Sequence, residues 1–243
     1  MPHFFIDSKN IANNEIIIND SENYRHIARA LRARVGEKLL LIDEKQTQYE
    51  TKIIEINSNE IVCEIEKSYI SKRDLEFDLY LAQSPLRSDA QLTIMEKATE
   101  LGVRGIYPII TDNCVLNKSV LEKKLEKWQK TMYEASKQCE RAKIPTCFNP
   151  TSLEKVLELK FDKILILAER STEISLKQYL AKNPIKKGNK VLAIIGPEGG
   201  FSQAEFDYFK EKKLPLISLG DLILKAETAV IVTLGDIIYE FQG

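Results

Sequence analysis

Two glycine-rich stretches toward the carboxyl end of the chain have the residue types and spacing that ligand-binding loops need. The first, Gly196-Pro-Glu-Gly-Gly200, follows the apolar run 191–195, whose β-branched content is typical of a strand covered on both faces in a parallel sheet. Glycine and proline allow the backbone to turn tightly and to bring main-chain N–H and C=O groups against a ligand. Ser202 and Glu205 then form an S-x-x-E capping box, which predicts the start of a helix.

The second stretch, residues 217–229, repeats this order of strand, glycine turn and helix start. Because the carboxyl ends of neighbouring parallel strands meet at one edge of a sheet, two such turns are expected to face one crevice. Neither has the G-x-x-x-x-G-K-[ST] or G-x-G-x-x-G pattern of a nucleotide site. A tight turn without a ligand is the alternative for either loop alone, and the pair favours a ligand site.

Composition limits the classes of protein and of chemistry. A chain of 243 residues with 44% hydrophobic content can bury the core of one large domain or two modest ones. It has no apolar run of the roughly 20 residues that a membrane helix needs and no signal-peptide pattern, so we expect a soluble cytoplasmic protein. The formal net charge of −1 means that any binding to nucleic acid must use a local basic surface.

The few histidines and cysteines argue against hydrolytic and metal sites. His3 and His26 are the only histidines, so no Ser-His-Asp set can be argued. The cysteines show no C-x-x-C pair and no zinc-ligand spacing, so they are interpreted as reduced thiols and no metal is expected. They are Cys63, Cys114, Cys139 and Cys147.

The chain changes character near residue 70. Residues 1–70 contain short strand patterns separated by turn residues, which is typical of a small β-barrel. Residues 68–74 are polar and are interpreted as a linker. From Leu75 onward strand and helix patterns alternate, which predicts an α/β domain with a mostly parallel sheet. An apolar stripe through Trp128 predicts one long helix over residues 120–141, with that stripe in the core or at a subunit contact.

A cluster of arginines in the first region is the clearest candidate for RNA contact. Asp20 or Ser21 caps a predicted helix, and four arginines lie on it or just after it although the chain is slightly acidic overall. Arginine binds phosphate in a planar, bidentate way. The alternative is an ordinary solvated helix face. The four are Arg25, Arg29, Arg32 and Arg34.

Both glycine stretches carry a resemblance to a known family. Gly196-Pro-Glu-Gly-Gly-Phe201 and Leu219-Gly-Asp-Leu-Ile-Leu-Lys-Ala-Glu-Thr-Ala229 resemble the paired signature of the RsmE family, the 16S rRNA (uracil-1498 N3)-methyltransferases of the SPOUT class. Residues 26–36 and 134–145 also resemble family patterns, so the resemblance covers nearly the whole chain. Lys225-Ala226 stands where the family has Arg-Thr.

Two further segments depart from the family pattern. Thr111-Asp-Asn-Cys-Val-Leu-Asn117 replaces an E-R-S-like start, so an arginine is missing there. The segment 86–96, which contains Arg87, differs from the usual K-G-D-[KR]-M-E. These departures fall where the resemblance would otherwise assign contacts to RNA.

The resemblance implies an architecture, a cofactor and partners. It implies a PUA-like β-barrel over residues 1–70 that binds RNA, followed by a SPOUT α/β domain over residues 75–243 with a trefoil knot. The cofactor would be S-adenosylmethionine, the substrate 16S rRNA of the small ribosomal subunit, and the assembly a homodimer, with no membrane and no metal. Methyl transfer suits these loops because the sulfonium already activates the carbon, so the protein mainly holds the reactants in line.

The resemblance also implies a set of cofactor-binding residues in three loops. Ile223 and Leu224 would pack on the adenine. The full set is Leu167, Ala168, Glu169, Ile195, Gly196, Pro197, Glu198, Gly199, Gly200, Leu219, Gly220, Ile223, Leu224, Glu227 and Thr228.

Methylation of uracil N3 requires loss of its proton, so a general base or a group that stabilises the anion is expected. Glu198, Glu227 and Glu169 are candidate bases by location, and Arg141 could stabilise a uracil anion. Arg141 and Glu198 are the catalytic candidates, and Arg87 and Arg141 join the four arginines above as candidate RNA contacts. The alternatives are loop carboxylates that bond main-chain N–H groups and a cation that favours a helix dipole.

Two other functions stay open at this point. One is a 2′-O-ribose methyltransferase of the same fold. The other is a non-catalytic RNA-binding assembly factor in which the loops are structural.

Overall fold

The computed structural model describes residues 2–169 and 174–242. It consists of two compact units, one of residues 2–74 with Lys137–Lys143, and one of Leu75–Ser136 with the described residues from Ile144 onward. None of the described helices is long and apolar enough to cross a membrane.

The first unit is built on one six-stranded sheet. Its order is β1-β4-β5-β6-β3-β2, and every pair is antiparallel except β1 with β4. Alternate side chains, among them Ile16, Ile18 and Ile53, form the buried core. The strands are β1 (His3–Phe5), β2 (Ile11–Ala12), β3 (Glu15–Ile18), β4 (Lys38–Ile42), β5 (Thr47–Ile56) and β6 (Ile61–Ile70), and the helix α1 spans Ser21–Tyr24.

The helix of the first unit begins where it was predicted to begin, and it then changes from an α-helix to a wider π-helical turn. The Asp20 carboxylate accepts a hydrogen bond from the N–H of Asn23 and so caps α1. A π-helical turn over Arg25–Ala30 follows, in which the N–H of Leu31 donates to the carbonyl of His26. The turn ends at Arg32, whose φ of 52° is left-handed.

The predicted linker begins too early. Strand β6 continues to Ile70, where Tyr69 pairs with Gln48 and Ile70 pairs with Thr47. Its last four residues are mixed in polarity and all exposed, and they pair with β5 alone. The linker prediction for residues 68–70 was therefore wrong.

The second unit contains a parallel sheet, which confirms the predicted α/β class. Its order is β10-β8-β7-β13-β11-β14-β12, with β9 paired to β8, and all these pairs are parallel. The strands are β7 (Asp78–Gln83), β8 (Gly105–Ile110), β9 (Thr146–Cys147), β10 (Thr151–Ser152), β11 (Lys163–Leu167), β12 (Ile174–Ser175), β13 (Lys190–Ile195) and β14 (Leu216–Ser218). The helices are α2 (Ser88–Glu100), α3 (Lys118–Glu122), α4 (Leu125–Gln138), α5 (Leu153–Leu157), α6 (Leu176–Lys182), α7 (Gln203–Glu211) and α8 (Ala226–Gln242).

Strand β13 lies between β7 and β11 and has both faces covered. Val191, Ala193 and Ile195 belong to one buried cluster, and Leu192 and Ile194 belong to the cluster on the opposite face. This explains why the run is apolar throughout, without the alternation of a half-exposed strand. The trefoil knot stays a prediction.

The predicted long helix over residues 120–141 is two helices, so that prediction was wrong. Helix α3 ends at Glu122 and α4 begins at Leu125, and between them the N–H of Lys124 donates to the carbonyl of Leu121 three residues earlier. Leu121 and Trp128 remain buried in the same core cluster. The apolar stripe thus continues across a break in the helix, and the stripe alone could not reveal the break.

Candidate cofactor pocket

The loops that follow three neighbouring strands lie around one pocket in the second unit. Strands β13, β11 and β14 are adjacent and parallel, so their carboxyl ends lie at one edge of the sheet. The loops that follow them form most of the lining of an open pocket of about 710 Å³. Small-molecule sites measure roughly 300–1,000 Å³.

The pocket brings together every predicted cofactor residue except Thr228, which is exposed on α8. The assignment of these residues to a cofactor stays a prediction. The predicted residues in the lining are Leu167, Ala168, Glu169, Ile195, Gly196, Pro197, Glu198, Gly199, Gly200, Leu219, Gly220, Ile223, Leu224 and Glu227. Lining residues that the sequence prediction missed are Ala90, Phe201, Phe206, Ser218, Leu222, Lys225, Ala226 and Ala229.

Most of the missed residues had a sequence signal. Phe201 and Leu222 lie within or directly beside the two glycine stretches and could have been included on that ground. Ala90 comes from the first turns of α2, and Phe206 from α7. Nothing in the local sequence of Ala90 distinguishes it from other helical alanines.

The first glycine loop needs its glycines for two different reasons. Gly200 has a φ of 68°, and its N–H donates to the carbonyl of Pro197 at 2.9 Å. A Cβ on Gly199 would lie 3.3 Å from the Cβ of Asn113, and a Cβ on Gly196 would lie 3.4 Å from the Phe201 ring. Gly200 therefore serves the turn, whereas Gly196 and Gly199 allow close packing.

The predicted capping box at the start of α7 is present. The Ser202 hydroxyl accepts from the N–H of Glu205 at 3.2 Å, and the Glu205 carboxylate accepts from the N–H of Ser202 at 2.8 Å. Glu205 is buried. These reciprocal bonds fix the point at which the glycine loop becomes a helix.

The second glycine loop leaves β14 through a small hydrogen-bonded turn. The Ser218 hydroxyl donates to the carbonyl of Gly220 at 2.9 Å and accepts from its N–H at 3.0 Å. Gly220 has a φ of 130°, which a side chain rarely tolerates. Leu222 and Ile223 follow, with exposed fractions of 81% and 64%. The pocket thus has apolar side chains on this wall, and the predicted adenine contacts Ile223 and Leu224 are among them.

All three candidate bases line this pocket. Glu169 and Glu198 are exposed, and Glu227 is partly buried in the first turn of α8. A carboxylate in the first turn of a helix is favoured by the helix dipole, so the alternative structural role fits Glu227 best. Lys225, also exposed, is the cation among the lining residues.

Arg141 belongs to the first unit, whereas Glu198 belongs to the second. Arg141 is only 4% exposed, and its Nη2 donates to the Asp74 carboxylate at 3.0 Å. The predicted contact with a uracil anion or with RNA would have to use a guanidinium that already holds this ion pair. Those roles stay predictions.

The other predicted RNA contacts lie on the surface. Arg25, Arg29, Arg32 and Arg34 are all exposed in the first unit. The Nε of Arg25 donates to the carbonyl of Ser21 at 2.9 Å. Arg87 is exposed at the start of α2 in the second unit. The first four share one continuous segment of the chain, which suits contact with successive phosphates.

Comparisons with protein families and known proteins agree on one class. A family described as "RNA methyltransferase domain" matches residues 73–238, and one described as "RNA methyltransferase PUA domain" matches residues 18–66. Curated proteins named Ribosomal RNA small subunit methyltransferase E are similar to the chain. The one from Bacillus subtilis is 27% identical, over 91% of this chain and 89% of its own length. The one from Mesomycoplasma hyopneumoniae is 30% identical, over 76% of this chain and 79% of its own length.

Solved structures share the fold over almost the whole chain. A Legionella pneumophila protein in complex with the cofactor SAM is 26% identical, with a TM-score of 0.84 over 98% of this chain and 97% of its own. A Neisseria gonorrhoeae protein bound to S-adenosyl methionine is 23% identical, with a TM-score of 0.84 over the same shares of the two chains.

Proposed function

The chain belongs to the family of ribosomal RNA small subunit methyltransferase E proteins, and we propose that it transfers a methyl group from S-adenosylmethionine to N3 of a uridine in 16S rRNA. The observation that carries the proposal is the meeting of the loops after β11, β13 and β14 in one pocket. The two family domains cover an RNA-binding part and a methyltransferase part of the chain. Because the substrate is ribosomal, we expect the protein to act in the cytoplasm.

The residues of the pocket suit S-adenosylmethionine. Glycine loops offer main-chain groups to the adenine and ribose, and Ile223 and Leu224 offer apolar surface. Glu169, Glu198 and Glu227 give the lining a negative charge that complements a sulfonium cation. When bound, the cofactor supplies an electrophilic methyl carbon that needs no further activation.

The tasks left to the chain are to orient the uracil, to exclude water and to take up one proton. In the proposed step the N3 proton passes to a carboxylate, the N3 lone pair forms the new bond to the methyl carbon, and the carbon–sulfur bond breaks. We favour Glu198 as the acceptor of the proton, because it is exposed in the glycine loop and Glu227 sits in a helix turn that favours its own charge.

Exchange of each carboxylate for an amide tests this assignment. Glu198→Gln is expected to lower kcat at least about 100-fold, with KM for S-adenosylmethionine nearly unchanged, because a general base contributes roughly that factor. Glu169→Gln and Glu227→Gln serve as matched variants in the same pocket. If kcat falls in one of these two variants and is unchanged in Glu198→Gln, the residue exchanged in that variant is the general base.

Transfer itself is tested with purified protein, methyl-labelled S-adenosylmethionine and small ribosomal subunits that lack the modification. Digestion and mass mapping of the 16S rRNA should find the label on N3 of one uracil. Label on a ribose 2′ oxygen would favour the related ribose methyltransferase. Cofactor binding without any transfer would favour a non-catalytic assembly factor.

We also propose a homodimer formed through α8. Ile231 and Tyr239 are exposed on one side of this helix, with Gly235 between them. A Cβ on Gly235 would meet no atom within 4 Å, so its own chain does not require a glycine there. A glycine inside a helix costs about 1 kcal/mol relative to alanine, and close approach of a second helix would account for it.

A further inference from the structure

A segment outside the pocket lining holds the first glycine loop by hydrogen bonds. Asn113 follows β8, and its Nδ2 donates to the carbonyl of Gly200 at 3.0 Å and lies 3.4 Å from the carbonyl of Gly199. A Cβ added to Gly199 would lie only 3.3 Å from the Cβ of Asn113, so the two residues are closely packed. The side chain of Asn113 therefore packs directly against the pocket-forming loop.

The two residues before Asn113 extend this attachment. The Ser202 hydroxyl donates to the Asp112 carboxylate at 2.5 Å, and the N–H of Asp112 donates to the Glu205 carboxylate at 3.1 Å. Thr111 is buried, with its hydroxyl 2.8 Å from the Ser84 hydroxyl. Each residue from Thr111 to Asn113 thus makes a specific bond.

The same network also holds the beginning of the glycine loop. The N–H of Ser84 donates to the carbonyl of Ile195, the last residue of β13, at 3.1 Å. Ser84 therefore links the start of the loop to Thr111, while Asp112 and Asn113 link its end. The loop is fixed at both ends to one neighbouring segment.

We propose that Asn113 is a positioning residue that holds the Gly199 and Gly200 carbonyls and thereby keeps the loop in the form that binds the cofactor. In a trans peptide group the N–H points opposite to the C=O. The bond to the Gly200 carbonyl therefore directs the N–H of Phe201, a pocket residue, away from Asn113. The identity of the cofactor rests on the proposed function, whereas the attachment of the loop rests on these hydrogen bonds.

Asn113→Asp is the sharpest test, because aspartate has the same shape but presents a carboxylate to two carbonyl oxygens. Asn113→Ala removes the donor without adding charge. One hydrogen bond corresponds to about three- to tenfold in an equilibrium constant. We expect Asn113→Ala to weaken S-adenosylmethionine binding by that factor and Asn113→Asp to weaken it further, as measured by calorimetry. KM should rise with kcat at saturation nearly unchanged, which a merely destabilised protein would not show.

Asn117→Asp is the matched control. Asn117 lies four positions further along and caps α3 as an acceptor from the N–H of Val120, a role that aspartate keeps. The Asn117→Asp variant adds the same negative charge as Asn113→Asp at a nearby position. Its affinity for S-adenosylmethionine should equal that of the wild type. Because Asn113 is exposed, its variants should keep a melting temperature close to that of the wild type.

Amide hydrogen exchange without any cofactor provides a second, independent readout. Peptides that cover residues 196–204 should exchange faster in Asn113→Asp and Asn113→Ala than in the wild type and Asn117→Asp. Unchanged exchange and unchanged affinity in both Asn113 variants would overturn the proposal. A wild-type protein that fails to bind S-adenosylmethionine would count against the proposed function, and the exchange result would still decide the role of Asn113.

Discussion

The Glu205 carboxylate accepts a hydrogen bond from the backbone N–H of Asp112 at 3.1 Å, although 93 positions separate the two residues in the chain. Its other oxygen accepts from the N–H of Ser202 at 2.8 Å. A single buried carboxylate therefore satisfies two backbone donors that belong to different loops. Such a group contributes to the stability of the second unit as well as to the shape of the pocket.

Glu205→Gln should destabilise the protein although it changes almost no volume. The amide has one acceptor oxygen, so one of the two N–H donors would face an NH₂ group and lose its partner. Loss of a hydrogen bond to a charged group costs about 1.5–3 kcal/mol in the free energy of unfolding. Urea denaturation measures this, with Glu211→Gln at the exposed end of α7 as the control. Equal unfolding free energies for both variants would contradict the prediction.

Gly220→Ala should weaken binding of S-adenosylmethionine by about tenfold, because strain of 1–2 kcal/mol at a left-handed residue can be relieved by moving the loop. Gly220 has a φ of 130° and lines the pocket. Gly188 is a matched control: it also has a positive φ, 79°, with no atom within 4 Å of a built Cβ, and it is not among the lining residues. Comparable losses of affinity in both variants would show that general strain, and not the pocket, is responsible.

The parts of the site that the sequence predicted are those with a local signal. The apolar run 191–195, the glycines after it and the Ser202–Glu205 box each specify a structure within a few residues, and each was found. The fold class followed from the alternation of strand and helix patterns. The two glycine loops meet in one pocket because they follow parallel strands whose carboxyl ends lie at the same edge of the sheet.

The parts that could not be predicted depend on contacts between distant residues. Asn113 is a polar residue in a loop, and its bond to Gly200 joins positions 87 apart, which no periodicity encodes. The ion pair that buries Arg141 against Asp74 spans 67 positions. The end of β6 at Ile70 depends on pairing with Thr47 and not on its own mixed polarity.

Arg29→Ala combined with Arg32→Ala should weaken binding to 16S rRNA fragments and make the salt dependence shallower. Each lost phosphate contact lowers the slope of log K against log salt by about 0.7–0.9. Alanine at residue 32 bears the same left-handed strain as arginine, so stability should hardly change. Filter binding at several salt concentrations measures the slope. The pair Lys182→Ala and Lys186→Ala, two exposed lysines of the second unit, is the control. Identical slopes for both double variants would show that the arginines form an ordinary solvated surface that does not contact RNA.

His3 should make the protein less stable as the pH falls below about 6.5. His3 is 6% exposed, and its ring packs edge-on against the Phe5 ring, with the ring centroids 5.2 Å apart. Burial, together with the nearby charge of Arg73, lowers the pKa of His3 from 6.5 to about 4. Between pH 6.5 and about 4 the His3 side chain is protonated in the unfolded chain and neutral in the folded protein. The free energy of unfolding therefore decreases as the pH falls through this range, and above pH 6.5 it does not depend on His3.

His3→Leu removes this titration. Between pH 7.5 and 5.0 the unfolding free energy of the wild type should fall by at most about 2 kcal/mol more than that of the variant, because each pKa unit corresponds to about 1.4 kcal/mol. Urea denaturation at the two pH values measures both proteins, and the comparison cancels the carboxylates they share. A constant difference between wild type and variant at both pH values would contradict the shifted pKa.

The exposed side of α8 should hold two copies of the chain together. Tyr239 is 79% exposed and Ile231 37%, with Gly235 between them, whereas Ile238 packs partly against the core cluster of its own chain. A charged residue at position 238 could therefore unfold the chain as well as dissociate the dimer, and the two effects could not be separated. A charge at Tyr239 separates the two effects, because this side chain has little to lose within one chain.

We expect the wild type to sediment as a dimer at micromolar concentration and Tyr239→Glu to sediment as a folded monomer. Gly235→Gln should also dissociate the dimer, because its side chain would fill the space that close approach requires. It should at the same time raise the stability of the isolated helix by several tenths of a kcal/mol, since glutamine is the better helix former. Lys210→Glu on α7 makes a larger change of charge at another exposed helical position and should leave the dimer intact. A wild-type monomer with full methyl-transfer activity would exclude the dimer and leave Gly235 without this explanation.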